Sequence, residues 1–259
     1  MALISGNPEL LEEPPLYSTE TEATKVAADN GYRLRRGTDG PWLRFGSTTA
    51  PCDVFIAYSH SGLWWLSIAH TGVARELGGA SLSGPGIHTL SFDSLYEMHR
   101  ALDRVYHLSV SLPSAPLTAF QQATEGFLRS TEAQRMVIMR VGQDIFRAAL
   151  MDYWNGRCPL TGINDAALLR ASHIVPWAEC ATDEMRLNVY NGLLLSPLWD
   201  AAFDAGLISF TSDGSVLTSP TLSVEAARAL QLEMRPRLHS LTPNHEVMLQ
   251  NHRTRHRFS

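Results

Sequence analysis

Cysteine is scarce in this sequence. The 259 residues include three, Cys52, Cys158 and Cys180, far apart and odd in number. That usage argues against a disulfide framework, and the lack of any CxxC pair excludes a four-cysteine zinc site, so free, mostly buried thiols are expected. Long apolar runs are also missing. None approaches the roughly 18–20 residues of a membrane span, and the N-terminus lacks the basic-then-apolar order of a secretory signal. A soluble, cytoplasmic protein with no membrane partner is the expectation. Excess positive charge is absent as well, the formal net charge being −5. Finally, there is no G-x-S-x-G elbow: "GASLSGPG" at 79–86 misses the spacing. Ser172 beside His173 on a strand would face the opposite way, which makes a poor nucleophile–base pair.

The composition that remains, 44% hydrophobic and 18% charged, suits a globular protein with a core. Its charge is unevenly spread. Glu9, Glu12, Glu13, Glu20 and Glu22 precede any basic residue, so positions 23–259 sum to zero. With Pro8, Pro14 and Pro15 they mark residues 1–22 as a flexible acidic arm. Overall charge is thus silent on nucleic acid, whereas the tail "NHRTRHRFS" is locally basic.

Residues 23–112 read as an α+β domain. "YRLRRG", "PWLRFG", "CDVFIAYS" and "GLWWLSIAH" are short strands between Gly, Pro and Ser breaks, and 91–108 reads as a helix. The two prolines of "SLPSAPLT" place a linker at 113–118. Residues 119–259 form the second domain. It opens with a long helical stretch over 119–151 that spaces Phe127, Ile138, Val141, Ile145 and Ala148 on an apolar face and is punctuated by Arg129, Arg135, Arg140 and Arg147. A turn-rich segment (154–162), a short strand through His173, an Asn191-Gly192 turn and a second short strand follow. "PLWDAAFDAG" is a helix with a starting Pro and a terminating Gly. A hairpin around Ser212-Asp213-Gly214, a helix near 222–234 and the basic tail complete the chain.

One ordered set of residues carries chemistry. His173 lies on a strand, Asn191 at a turn, and Asp200 and Asp204 share a helix face by their (i, i+4) spacing. Each alone has a bland explanation: a core histidine, an ordinary turn asparagine, solvated aspartates. Together, a neutral imidazole near oxygen ligands is what metal-assisted phosphodiester hydrolysis needs, histidine taking a proton from water and a divalent ion neutralising charge. An oxygen-only site with few protein ligands suits Mg²⁺, with Mn²⁺ as the substitute.

The stretch "CPLTG…LLRASHIVPW…RLNVYNGLLLSPLWDAAFDAGLISF" resembles the HNH endonuclease family, in its branch with "ASHI-x-PW", "NGLLL" and "D-x-x-FD-x-G". The likeness covers about residues 140–219 with its motif core at 154–219, and "LQNHRTRHRF" is similar to the ends of such proteins. The resemblance implies a β-hairpin and helix around one divalent metal (the ββα-metal fold) with flanking helices, and cutting or nicking of DNA. Carried over by position, His173 is the general base and Asn191 orients it or braces the loop. Asp200 is a metal ligand, and Asp204 binds the metal through water or braces the helix. Ser172 stands where many members carry Asp or His as a first metal ligand. No structural zinc is expected, since Cys158-Pro-Leu-Thr161 replaces the CxxC pair of other members. Trp177, Leu193–Leu195, Trp199 and Phe203 are then the core. Arg170, Arg253, Arg255 and Arg257 are the expected DNA contacts.

Residues 23–112 match no recognised pattern. A recognition or sensor role fits a restriction or defence nuclease acting on site-specific or modified DNA. Trp42, Phe45, Tyr58, Trp64 and Trp65 are either a base-stacking pocket or simply core, and Arg33, Arg35, Arg36 and Arg44 either phosphate contacts or exposed strand residues. Two other functions stay open: a catalytically inactive DNA-binding or regulatory protein, for which Ser172 speaks, and a nuclease gated by a ligand at the first domain. Cutting both strands from a single-metal site would favour a homodimer.

Overall fold

The computed structural model describes residues 11–127 and 131–258. The chain divides between Val110 and Ser111 into two compact units. Among the described residues no helix is long and apolar enough to cross a membrane.

Unit 1 begins before the expected domain start. Helix α1 spans Tyr17–Asp29 and buries Thr19, Ala23, Val26 and Ala27. The arm expected over 1–22 is therefore structured in its second half. Leu11 bridges to Ser59, and the buried Glu12 carboxylate accepts the Thr19 hydroxyl at 2.8 Å. A glutamate that finds a buried hydrogen-bond partner no longer behaves as a solvated charge. Residues 1–10 of that arm lie outside the described residues.

A five-stranded antiparallel meander follows: β1 (Leu34–Asp39), β2 (Trp42–Gly46), β3 (Val54–Tyr58), β4 (Trp64–Ile68) and β5 (His88–Phe92), in that spatial order. Helix α2 (Thr71–Leu77) lies between β4 and β5, and α3 (Leu95–Ser111) follows them. The register sets Leu43 opposite Ile56 and Ile56 opposite Leu66, so one face carries a continuous apolar row. Tyr32, Met98 and Leu102 are fully buried with it. The strand aromatics resolve in favour of packing: Trp42, Phe45 and Trp64 are buried. Trp42 lies edge-on to the half-buried Trp65, and the half-buried Tyr58 leans on Trp64 at 4.8 Å.

Unit 2 opens on α4 (Ser114–Ala123), which occupies most of the expected 113–118 linker. Pro116 is harmless there because it sits in the first turn, where its missing N–H has no intrahelical partner to lose. The expected single helix over 119–151 is interrupted; α5 runs Glu132–Tyr153, started by a capping box between Thr131 and Gln134. Its buried face is Ile138, Gly142, Phe146, Ala149, Leu150 and Tyr153. Ile138 lies on it as expected and Val141 and Ile145 border it, but Ala148 is exposed and Phe127 lies beyond the helix. Arg147 is spent on the carbonyls of Leu169 and Ala166, at 2.8 and 2.7 Å, and Arg129 lies outside the described residues.

Strands β6 (Arg170–His173) and β7 (Gly192–Leu195) pair antiparallel, Ser172 opposite Leu193 and His173 opposite Gly192. The short helix α6 (Asp183–Arg186) lies in their connection, and α7 (Pro197–Asp204) follows β7 directly. The expected hairpin is present as β8 (Ile208–Phe210) and β9 (Val216–Thr218). Helix α8 (Val224–Ala229) is shorter than the stretch assigned to it, and the basic tail forms the end of α9 (Pro243–His256).

Candidate active site

The β6–β7–α7 unit places four of the expected site residues around one cavity of about 450 Å³: Ser172, His173, Asp200 and Asp204. Strand alternation sends Ser172 inward, 2% exposed, and turns His173 toward α5. There the imidazole stacks on Phe146, with centroids 3.8 Å apart and planes 19° from parallel, and the edge of Trp177 closes its flank.

Its protonation follows from one hydrogen bond. Nε2 lies 2.9 Å from the Arg186 carbonyl. A carbonyl only accepts, so Nε2 carries the hydrogen and Nδ1 keeps its lone pair. Burial holds His173 below the ordinary histidine range, against a smaller opposing pull from that carbonyl. The imidazole is neutral near pH 7, with a basic nitrogen to which no hydrogen bond is assigned among the described residues.

Asn191 is not in the cavity. It is fully buried and works as a clamp on the β6–α6 connection. Its Oδ1 accepts the Val175 amide at 2.8 Å, and its Nδ2 donates to the Val175 and Met185 carbonyls at 3.1 and 3.2 Å, with the Cys180 sulfur at 3.3 Å. Met185 precedes Arg186, so fixing one carbonyl fixes the next. Asn191 thus holds the connection whose next carbonyl, that of Arg186, meets His173. Arg186 helps by bonding the carbonyls of Trp177 and Cys180 and the Asp183 carboxylate. Gly192, expected to serve a turn, is extended (φ −152°). A Cβ there would strike Phe146 and Leu150, so glycine is needed for α5 to approach β7.

Asp200, half-buried, and Asp204, more exposed, share one face of α7. Burial raises the Asp200 carboxyl, while the Ser172 hydroxyl and Arg170 pull it back. Asp204 is raised by burial and by its neighbour Asp200, and lowered by Arg255. The Ser172 hydroxyl makes no well-formed hydrogen bond, although it lies close enough to favour ionised Asp200. Two carboxyl groups held above their usual range, and a buried hydroxyl without a well-formed hydrogen bond, are a set of hard oxygen donors that fits a small divalent cation. Among the described residues no three His, Cys, Asp or Glu side chains group as a metal cage. A cation held here would draw its remaining ligands from water or phosphate, as Mg²⁺ commonly does.

The expected DNA-contacting arginines differ in availability. Arg253 is taken up by the Phe210 carbonyl at 2.7 Å and by Glu246. Arg170 donates to the Ala167 and Leu169 carbonyls while lining the cavity. Arg255 also lines it and pairs with Glu179 at 2.8 Å. Arg257 is exposed at the C-cap of α9. The cavity has further walls that sequence reasoning missed, His252 and His256 of α9. His252 donates from Nε2 to the Phe203 carbonyl at 3.1 Å and accepts the Ser209 hydroxyl on Nδ1 at 3.0 Å, so it has no free nitrogen for catalysis.

No curated protein matches the chain. Residues 158–211, which contain His173, Asn191, Asp200 and Asp204, match the family model described as HNH endonuclease, and unit 2 is in this stretch similar to a nuclease-type enzyme of that family.

Proposed function

We propose that the protein is a divalent-metal-dependent DNA endonuclease of restriction or defence type, with His173 as general base. The observation that carries this reading is the tautomer of His173, with Nε2–H tied to the Arg186 carbonyl and Nδ1 unengaged in the cavity shared with Asp200 and Asp204. Nδ1 takes a proton from the attacking water, and the stacked Phe146 ring keeps the imidazole from turning as its charge changes. Asp200 and Asp204 would hold the cation, with the Ser172 hydroxyl beside them and Arg255 within electrostatic reach. When bound, that ion, Mg²⁺ or Mn²⁺, supplies Lewis-acid neutralisation of the phosphate and leaving oxygen. Asn191 acts at one remove, by holding the connection that presents the Arg186 carbonyl. A homodimer would supply the second site needed for a double-strand cut.

The test compares the protein with His173→Ala on modified and unmodified plasmid DNA in Mg²⁺, Mn²⁺ or EDTA. Cleavage should require the divalent ion and fall by about 10²–10⁴-fold in the variant. Binding without cleavage under every condition would sink the reading and leave an inactive DNA-binding module in its place. Cleavage confined to modified plasmid would identify unit 1 as the reader of the modification.

A further inference from the structure

On the sheet face of unit 1 that carries Trp42 and Phe55, two arginines share one buried carboxylate. Arg44 of β2 is registered opposite Phe55 of β3, and Arg36 belongs to the fully exposed edge strand β1. Asp53, 8% exposed, meets Arg44 Nε at 2.6 Å and Arg36 Nη1 at 3.2 Å. Neither guanidinium makes another hydrogen bond or ion pair among the described residues, so most of their N–H donors are unspent. One carboxylate between two guanidiniums leaves a single positive charge in excess.

These groups line a cavity of about 440 Å³, within the range of small-ligand sites. Its remaining walls are mostly apolar. Phe55 lies under the Arg44 guanidinium, 5.7 Å from its ring centroid, with Ala50, Pro51 and Ala69 around it. A guanidinium pair of surplus charge next to a flat hydrophobic wall matches a ligand with an oxyanion at one end and a planar apolar body at the other. Arginine binds phosphate oxygens through paired N–H donors, and an apolar wall receives the flat body of a base by excluding water.

We propose that this cavity is a nucleotide-binding site, in which Arg36 and Arg44 bind a phosphate and the apolar wall of Ala50, Pro51 and Ala69 receives the base, the nucleotide being free or part of a DNA strand. The site makes no use of His173 and stands whether or not unit 2 cleaves.

Cys52 provides the readout. It lines the cavity and is exposed, whereas Cys158 and Cys180 are buried. In the full-length His173→Ala protein with EDTA, the fast phase of thiol titration reports Cys52. Adenosine monophosphate or a short single-stranded oligonucleotide should slow that phase in a saturable way. Protection by the mononucleotide identifies a free ligand, and protection by the oligonucleotide alone identifies a strand. Arg44→Gln should weaken the protecting ligand about tenfold or more, as loss of a charge-assisted bond does. Asp53→Asn keeps the shape, releases both guanidiniums and should tighten binding; it also guards against a misfolded arginine variant. Absence of protection by both ligands, or protection that both substitutions leave unchanged, overturns the proposal.

Discussion

His173 is held by two groups that carry no formal charge, the Arg186 carbonyl and the face of Phe146. This explains what could be read in advance around it. Ser172, His173, Asp200 and Asp204 announce themselves by side-chain chemistry and order, and the structure brings them to one cavity. A backbone carbonyl leaves no mark on a sequence, and an apolar ring on another helix looks like any core residue. Asn191 was expected to orient His173 or brace the loop, and its bonds run to the connection that ends at the Arg186 carbonyl. Phe146→Leu separates stack from packing. It should cost about 1–2 kcal/mol in stability but lower the cleavage rate at saturating DNA by about 10–100-fold, because the base loses its fixed angle. Leu238→Ala, buried beside the β8–β9 turn and outside the cavity, should cost about 2–5 kcal/mol while leaving the rate per folded molecule unchanged. Equal rate losses in the two variants would show that the stack has no role of its own.

Among the elements, α5 and α9 were the least accurately foreseen. Amphipathic spacing gave α5 its helix, but the buried stripe is set by which residues let neighbours approach. Gly142 is one of them, since a Cβ there would meet the Trp177 ring. Helix α9 has little amphipathic pattern and was read as a basic tail, yet it buries His245, Leu249 and His252. Burial lowers both histidines to about 4. The sign follows directly. Between about pH 4 and 6.5 the unfolded chain binds protons that the folded helix refuses, so stability falls as pH drops through this window. Each histidine should cost about 2 kcal/mol at pH 5 relative to pH 7.5. Thermal unfolding at the two pH values checks this, and His245→Leu should flatten the dependence. An unchanged slope in that variant would mean that His245 is already charged when folded.

For the whole molecule, charge placement matters more than charge total. The chain is net acidic at −5, and twenty of its twenty-one basic residues are arginine. Many of those in unit 2 are committed internally, as Arg147, Arg186 and Arg253 show. A search for basic residues therefore overestimates the surface available to phosphate, since a sequence cannot show which guanidiniums are engaged. Arg257→Ala should reduce the slope of log affinity for DNA against log salt by about one. Arg253→Ala should leave that slope alone and cost about 1–3 kcal/mol of stability, from the unpaired Phe210 carbonyl and Glu246. The reverse pattern would place the nucleic acid on the inner side of α9.

The stacking of His173 on Phe146 and of His252 on Phe203 also bears on how this nuclease unit could be moved between proteins. The family match covers 158–211, but the Phe146 ring stacked on His173 lies upstream of it, and the cavity wall of His252, Arg255 and His256 lies downstream. An excised 158–211 cassette would bring the His173 and Asp200 side chains without the surfaces that orient them. The piece that keeps these surfaces together is the compact unit from Ser111 onward, in which α4 buries Phe120 against α5.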